Sequence, residues 1–221
     1  MEITPQNYRV VVTARRWLSE HTFEIRFSRP DGFSFRPGQQ ITFIHAALRR
    51  DYTLLGPTDD EDLAVCVRHI PQGRFSPLLA AADPGDGFTI TAPFGFFTYQ
   101  RSPRPAVFIA TGTGIAPFVA FARAGVRNFN LLHGVRTPAE LYYAEELSAA
   151  AHRYIPCLSV SFAPLPYPHA FHGHVGDYLA AKHPREIYDF YLCGRSEMIR
   201  DVMRIIDEHY DGSRVFFETF F

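Results

Sequence analysis

The residues best suited to chemistry fall in three short stretches. Near the midpoint, Ala110-Thr111-Gly112-Thr113-Gly114-Ile115-Ala116-Pro117-Phe118 comes directly after the apolar run Ala106-Val107-Phe108-Ile109. A short apolar run that opens into Gly-Thr-Gly and then into helix-compatible residues predicts strand, tight loop, helix. The glycines let the backbone approach a ligand closely, and the free N–H groups of a helix start favour phosphate-like charge. Pro117 suits the first helical turn, where its missing N–H is not needed. Taken alone, the stretch serves equally well as a ligand-free connection. The second stretch is Arg50-Asp51-Tyr52-Thr53. It sets a guanidinium able to grip a phosphate at two points two residues before a tyrosine, with a hydroxyl next. In a strand, Arg50 and Tyr52 share one face while Thr53 takes the other. The third stretch, Gly73-Arg74-Phe75-Ser76-Pro77, opens a helix through Leu78-Leu79-Ala80-Ala81-Ala82. Ser76 reads as its N-cap and Pro77 as its first helical residue. This is a connecting helix or an anion site, and together with Arg50 it makes two anion elements that fit a pyrophosphate.

Two kinds of element must position these residues. Up to about Arg101 the strand-like runs are 8–12, 23–27, 40–45 and 63–70, rich in β-branched and aromatic residues and separated by Pro30-Asp31-Gly32, Pro37-Gly38 and Pro84-Gly85-Asp86-Gly87. Many short strands with little helix predict an antiparallel barrel or sandwich. Arg101-Ser102-Pro103-Arg104-Pro105 reads as a linker. Beyond it, strand-like runs 106–110, 129–133, 157–162, 187–193 and 215–217 alternate with helical segments. One helix starts at the capping box Thr137-Pro138-Ala139-Glu140 and continues through Leu-Tyr-Tyr-Ala-Glu-Glu-Leu. Another starts near Ser196 and places Ile199, Val202, Met203 and Ile206 on one face. Alternation of this kind predicts a mostly parallel sheet with ligands at the carboxyl ends of its strands, where 111–114, 134–136 and 193–194 fall. The expected organisation is two domains, 1–101 a β-barrel and 102–221 an α/β domain.

Composition narrows the function classes. The 221 residues are 47% hydrophobic and 20% charged, with net charge −1, so no surface for nucleic acid or lipid headgroups is indicated. Residues 1–5 show no basic region leading into an apolar segment, and 106–122, the one uncharged run of near-spanning length, is interrupted by Thr-Gly-Thr-Gly and proline. Cys66, Cys157 and Cys193 are too few and too far apart for a four-thiolate cluster or a zinc pair, and reduced thiols in the cytoplasm are expected. His169, His172 and His174 lie in a Pro- and His-rich stretch from 163 to 174 that lacks cysteine or acid ligands; it reads as a solvated loop rather than a metal site.

In combination these stretches resemble the ferredoxin/flavodoxin–NADP reductase family, over essentially the whole length. Arg50-Asp51-Tyr52-Thr53 resembles its Arg-x-Tyr-Ser/Thr flavin motif, residues 73–76 its flavin-pyrophosphate loop, and Pro93-Phe94-Gly95-Phe96-Phe97 the close of its flavin domain. Thr111 to Phe118 resembles its pyridine-nucleotide loop, Cys193-Gly194 followed by Met198 its nicotinamide segment, and Glu218-Thr219-Phe220 its terminal Glu-x-aromatic. The compact length and the Gly-x-x-Ser-Pro helix start are most similar to bacterial members. The resemblance implies a flavin-binding barrel followed by a nucleotide-binding domain, with FAD and NADP as cofactors. It implies Tyr52 stacked on the flavin, Thr53 near the ring's reactive nitrogen, and Arg50 with Gly73, Arg74, Phe75 and Ser76 at the pyrophosphate. Thr111, Gly112, Thr113 and Gly114 would bind the pyridine nucleotide, with Cys193 and Gly194 beside the nicotinamide. Glu218 would be a proton or orientation partner, and Phe220 or Phe221 would cover the flavin. Thr53, Cys193 and Glu218 are thus the implied catalytic residues. Arg136, after the second strand of the nucleotide domain, favours a 2′-phosphate and hence NADPH, although 161–163 offers no second basic residue.

The implied activity is hydride transfer from NAD(P)H to FAD and release of single electrons to a separate ferredoxin- or flavodoxin-like protein. Two alternatives stay open: the reductase component of an oxygenase or a free flavin reductase, and, from another class, a non-catalytic nucleotide-binding regulatory module.

Overall fold

The computed structural model describes residues 6–160, 167 and 169–220. The chain divides into two compact units, Met1–Tyr99 and Gln100–Phe221. Residues 1–5, part of the 157–162 run, much of the 163–174 stretch and Phe221 lie outside the described residues.

The first unit is a six-stranded antiparallel barrel. Its strands are β1 (Asn7–Ser19), β2 (Thr22–Ser28), β3 (Gln40–His45), β4 (Leu48–Thr53), β5 (Asp62–Arg68) and β6 (Gly87–Thr91), in the order β4-β3-β6-β1-β2-β5. A bridge between Leu54 and Val65, with Leu55 N–H donating to the Ala64 carbonyl at 2.9 Å, joins the two outer strands and closes the sheet. Alternation drives the closure: Val10 and Val12, Phe23, Ile25 and Phe27, Ile41 and Phe43, Leu63, Val65 and Val67, and Phe88 and Ile90 fill one interior. β1 serves two neighbours, pairing with β6 through Asn7–Val11 and with β2 beyond, and its register shifts between Val12 and Ala14 where it turns from one to the other. β6 is an addition to the expected strands, because the turn 84–87 leads straight into it.

Helix α1 (Ser76–Ala81) packs Leu79 into this barrel's core, and here the structure corrects the expected cap. Phe75 occupies the N-cap position, Ser76 and Pro77 are the first two helical residues, and no side-chain cap bond is made. The Ser76 hydroxyl instead accepts from the Ile70 N–H at 3.0 Å, tying the helix start back to the preceding turn.

The second unit is a six-stranded parallel sheet: β7 (Ala106–Thr111), β8 (Asn130–Val135), β9 (Arg153–Leu158), β10 (Phe171–His172), β11 (Asp189–Arg195) and β12 (Arg214–Phe220), ordered β10-β9-β8-β7-β11-β12. The chain starts in the middle at β7, steps outward to β10, then returns to the other side of β7. That reversal makes β7/β11 the topological switch point, where neighbouring connections leave in opposite directions and open a crevice at the carboxyl ends. Helices α2 (Ala116–Arg123) and α3 (Ala144–Ala150) pair with each other, as do α4 (Val175–Ala181) and α5 (Ser196–His209). Phe118 and Phe121 of α2 pack on Phe108 of β7, while Val175, Leu179, Ile199, Val202 and Ile206 pack with Val107, Ile109 and Leu132 on the opposite face.

The capping box at Thr137/Glu140 forms, but the helix it was expected to start does not continue. A three-residue 3₁₀ turn (Pro138–Glu140) ends at Leu141, and α3 begins only after Tyr143 in the left-handed conformation, φ 58°. The stretch expected as a solvated loop also holds structure: His172 lies in β10, and His174 caps α4 in a capping box with Asp177. Among the described residues no group of three or more His, Cys, Asp or Glu is placed to hold a metal, and no helix is long and apolar enough to cross a membrane.

Candidate functional site

In the barrel unit, β4 carries the Arg50–Thr53 group along an outer strand paired with β3. Arg50 is exposed, and one guanidinium nitrogen donates to the Arg49 carbonyl at 2.7 Å. Tyr52, opposite Ile41, is half-buried, its ring 5.7 Å edge-on from Phe43 and 6.4 Å from Phe75. Burial pushes its phenol up to about 12, against the opposing pull of Arg50, so the ring stays neutral. Asp51 takes the other face and accepts from the Thr42 hydroxyl at 2.7 Å. Thr53 is 2% exposed, and its hydroxyl has no hydrogen-bond partner. A buried orphan hydroxyl costs about 1–3 kcal/mol, so this atom suits a bound group that supplies the missing partner.

Phe75 ties the two anion elements together, because its ring lies 6.4 Å from Tyr52 and 6.2 Å from Phe43. Its side chain belongs to the barrel core, which leaves only its backbone to face a ligand. Gly73 donates to the Ile70 carbonyl at 2.8 Å, and a Cβ there would stand 2.9 Å from that oxygen, so the tight turn ahead of α1 requires glycine. Arg74 points outward and is exposed. The Pro93–Phe97 motif hooks onto β3 through a reciprocal pair of 2.9 Å bonds between Gln40 and Phe94, and turns at Gly95 with φ 100°.

In the sheet unit, the expected nucleotide residues converge on the β7/β11 switch point. Gly112 leaves β7 with φ 54°, and residues 112–115 form a 3₁₀ turn ahead of α2. A Cβ on Gly112 would meet nothing within 4 Å, so its outer side faces open space. The second glycine has a different role from the expected approach to ligand. A Cβ on Gly114 would overlap the Cys193 carbonyl and the Gly194 Cα, so this glycine allows the turn to pack on β11. Gly194, φ 143°, is equally constrained, because a Cβ there would overlap the Thr111 hydroxyl. That hydroxyl accepts from the Arg195 N–H at 3.2 Å and locks the two strand ends together. Cys193 is fully buried beside Ala110 on one side and Glu218 on the other. Burial, aided by the Glu218 charge, drives its thiol well above the usual range, so it is a protonated, shape-filling group rather than a thiolate. Phe220 is half-buried opposite Arg195 at the end of β12. Arg136 is exposed one residue past β8, its N–H held by Glu140 at 3.1 Å and its guanidinium outward.

The residue that the motif-based reading passed over is His133. It interrupts the apolar run of β8, is fully buried, and lies beside Ala110, next to the turn itself. A polar side chain amid apolar strand residues was the available signal.

The family model for an oxidoreductase NAD-binding domain matches residues 108–204, which span the switch point. The toluate 1,2-dioxygenase electron transfer component of Pseudomonas putida is 29% identical over 213 residues, covering 90% of this chain and 63% of that one. Ferredoxin–NADP reductase B of Sorangium cellulosum is 31% identical over 164 residues, covering 67% of this chain and 66% of the other. This chain belongs to the ferredoxin–NADP reductase family. The fold agrees: a ferredoxin NADP+ reductase from Neisseria gonorrhoeae, solved with FAD and NADP, superposes with a TM-score of 0.81 at 21% identity, over 99% of this chain and all of the other. As a family member, the chain spans just under two thirds of the length of these two curated relatives.

Proposed function

We propose that the chain is an NAD(P)H-dependent flavoprotein reductase that takes a hydride onto FAD and passes electrons singly to a separate ferredoxin- or flavodoxin-like acceptor. The observation that carries this reading is the interlocked switch point, where the Gly112 turn stands open outward and Gly114 and Gly194 bring β7 and β11 into backbone contact. FAD, when bound, supplies the ability to take two electrons together and give them up one at a time. The residues supply position. Arg50 and the Gly73–Arg74 backbone would hold the flavin pyrophosphate, Tyr52 presents a neutral ring for stacking, and the orphan Thr53 hydroxyl would supply a hydrogen bond to the flavin. On the sheet unit, Thr111 to Gly114 seat the pyridine nucleotide's pyrophosphate, and the Cys193 thiol, held neutral, shapes the wall beside the nicotinamide. Glu218 would orient or protonate, and Phe220, or Phe221 outside the described residues, would be the aromatic that covers a flavin face. Arg136 grips a 2′-phosphate, which favours NADPH. With three cysteines in these 221 residues, no four-thiolate cluster can be built from them, which supports an electron acceptor outside them. The toluate dioxygenase electron transfer component among the relatives favours an oxygenase system as one setting for that acceptor. A cytoplasmic location belongs to the same proposal.

The test is the visible spectrum of the purified protein before and after NAD(P)H. An oxidised-flavin band that bleaches supports the reading, and a colourless protein that neither FAD nor FMN reconstitutes removes it. Tyr52→Ala should loosen flavin retention, whereas Cys193→Ala should keep the flavin and slow its reduction.

A further inference from the structure

Resting on the pyridine-nucleotide reading, a second feature of the switch point explains how its turn is held. His133 lies on the sheet face opposite Leu132, between Ala110 of β7 and Pro156 of β9, at the level where β7 opens into Gly112. Its Nδ1 is 2.9 Å from the Tyr154 hydroxyl, and the Tyr142 ring stands 6.3 Å away, edge-on. Its Nε2 is buried and makes no hydrogen bond within normal limits. His133 pairs with Ala110 and Gly134 with Thr111, which sets the ring at the exit of β7, and the Gly112 backbone opposes the effect of burial on the ring in the sense of a carbonyl acceptor. The turn is therefore bare on its outer side, with the unpartnered Nε2 of this buried imidazole beneath the strand end that leads into it.

One assignment of the ring protons satisfies these contacts. Burial drives the Tyr154 phenol far up, so it remains a hydroxyl. Burial also holds His133 neutral, its pKa lowered to about 4, and a neutral imidazole carries a single N–H. With the Tyr154 hydroxyl donating to Nδ1, that N–H sits on Nε2 and points at the Gly112 carbonyl.

We propose that His133, fixed by Tyr154, is a positioning residue for the nucleotide turn. Its Nε2–H tightens onto the Gly112 carbonyl when a dinucleotide pyrophosphate seats on the turn, holding Gly112 left-handed and the following N–H groups outward. The contact acts on binding of the shared pyrophosphate, so it affects NADPH and NADH alike and leaves flavin retention unchanged.

The test titrates the full chain calorimetrically with NADP+ and with ADP-ribose, which carries the pyrophosphate but no nicotinamide. His133→Phe should weaken both about tenfold, as loss of one buried hydrogen bond implies, while His133→Gln, which keeps a donor, should recover most of that loss. Tyr154→Phe should fall between. NMR of the ring nitrogens in the unmodified protein should show the proton on Nε2. Unchanged affinity in His133→Phe while the wild type binds both probes, or a ring protonated on Nδ1, overturns this proposal alone. Failure of the wild type to bind either probe overturns the pyridine-nucleotide reading and this proposal with it. Should His133→Phe not fold, Tyr154→Phe and the ring NMR decide.

Discussion

The two ends of the parallel sheet are built on opposite principles. At the amino ends, Asp189 of β11 is 1% exposed and clamped by Arg214 of β12 through two bonds of 2.8 and 2.6 Å, with Arg104 3.9 Å away. The Arg104 guanidinium also donates to the Gly212 carbonyl at 2.9 Å, so the starts of β7, β11 and β12 are stapled by charge. At the carboxyl ends of β7 and β11, backbone replaces side chains. Gly112, Gly114 and Gly194 bring main chain against main chain, and the outward surface at Gly112 is empty. One end spends its polar groups on the protein itself; the other leaves the surface at Gly112 open. On the proposed reading that difference separates a stability device from a binding device, and mutations at the two ends should therefore fail in different ways.

The largest effect is expected at Gly114. Gly114→Val forces the turn off the Cys193–Gly194 backbone, costing about 3 kcal/mol of stability, and displaces the turn enough to weaken NADPH binding on the order of a hundredfold. Thermal melts and titration calorimetry would read both, and near-normal binding would show that the turn does not set the nucleotide position. At the other end, Asp189→Asn should lower the melting temperature by roughly 5–10 °C while leaving NADPH affinity unchanged. Its pH signature has a definite sign. The Arg214 bonds hold the Asp189 carboxyl below its usual range, so its contribution is fully present above about pH 4 and is lost as pH falls through the lowered folded value. The wild-type advantage over Asp189→Asn should shrink only in that acid range.

Legibility in the sequence divides along similar lines, between local and long-range causes. The barrel strands could be read because alternation is local, as in Phe23, Ile25 and Phe27, and the Thr137/Glu140 capping box could be read because its partners are three residues apart. The break in the helix beyond the box could not be read: Tyr143 is left-handed, a conformation rare for a bulky residue, and no glycine in the sequence marks it. The candidate site was legible as a set of residue types, Arg50 to Thr53, Thr111 to Gly114 and Cys193-Gly194. The division of labour within it was not. That Gly112 faces outward while Gly114 packs on Cys193 depends on β7 and β11 being neighbours, a pairing between segments some eighty residues apart in number. Ser76 looked like a cap because helix starts favour serine, yet its hydroxyl was claimed by Ile70. His133 was invisible as a supporting residue because Tyr154, its partner, lies on another strand.

Two smaller effects sharpen the comparison. Arg136→Ala should raise KM for NADPH about tenfold with little change for NADH, the magnitude of one charge-assisted contact, and equal losses with both would make Arg136 structural. At the amino end, both ring nitrogens of His183 are buried without hydrogen-bond partners, with the rings of Tyr178, Tyr188 and Tyr210 at 5.1–6.4 Å. Burial, with Arg153 nearby, lowers its pKa to about 4. A depressed folded value means its share of stability is intact above about pH 6.5 and falls as pH drops toward 4. His183→Phe should therefore gain on the order of 1 kcal/mol over wild type at pH 5 and little at pH 8, measured by denaturant melts. The same gain at both pH values would show that folding does not lower the pKa of this imidazole.

The most direct measurement of the central claim is anaerobic mixing of the FAD-loaded protein with NADPH while the oxidised-flavin band is followed, for wild type beside Gly114→Val. The account predicts rapid bleaching in the wild type and a flavin-replete variant whose band persists. A wild-type protein that holds FAD but keeps its colour with both NADPH and NADH, or a Gly114→Val variant that bleaches at the wild-type rate, would contradict it.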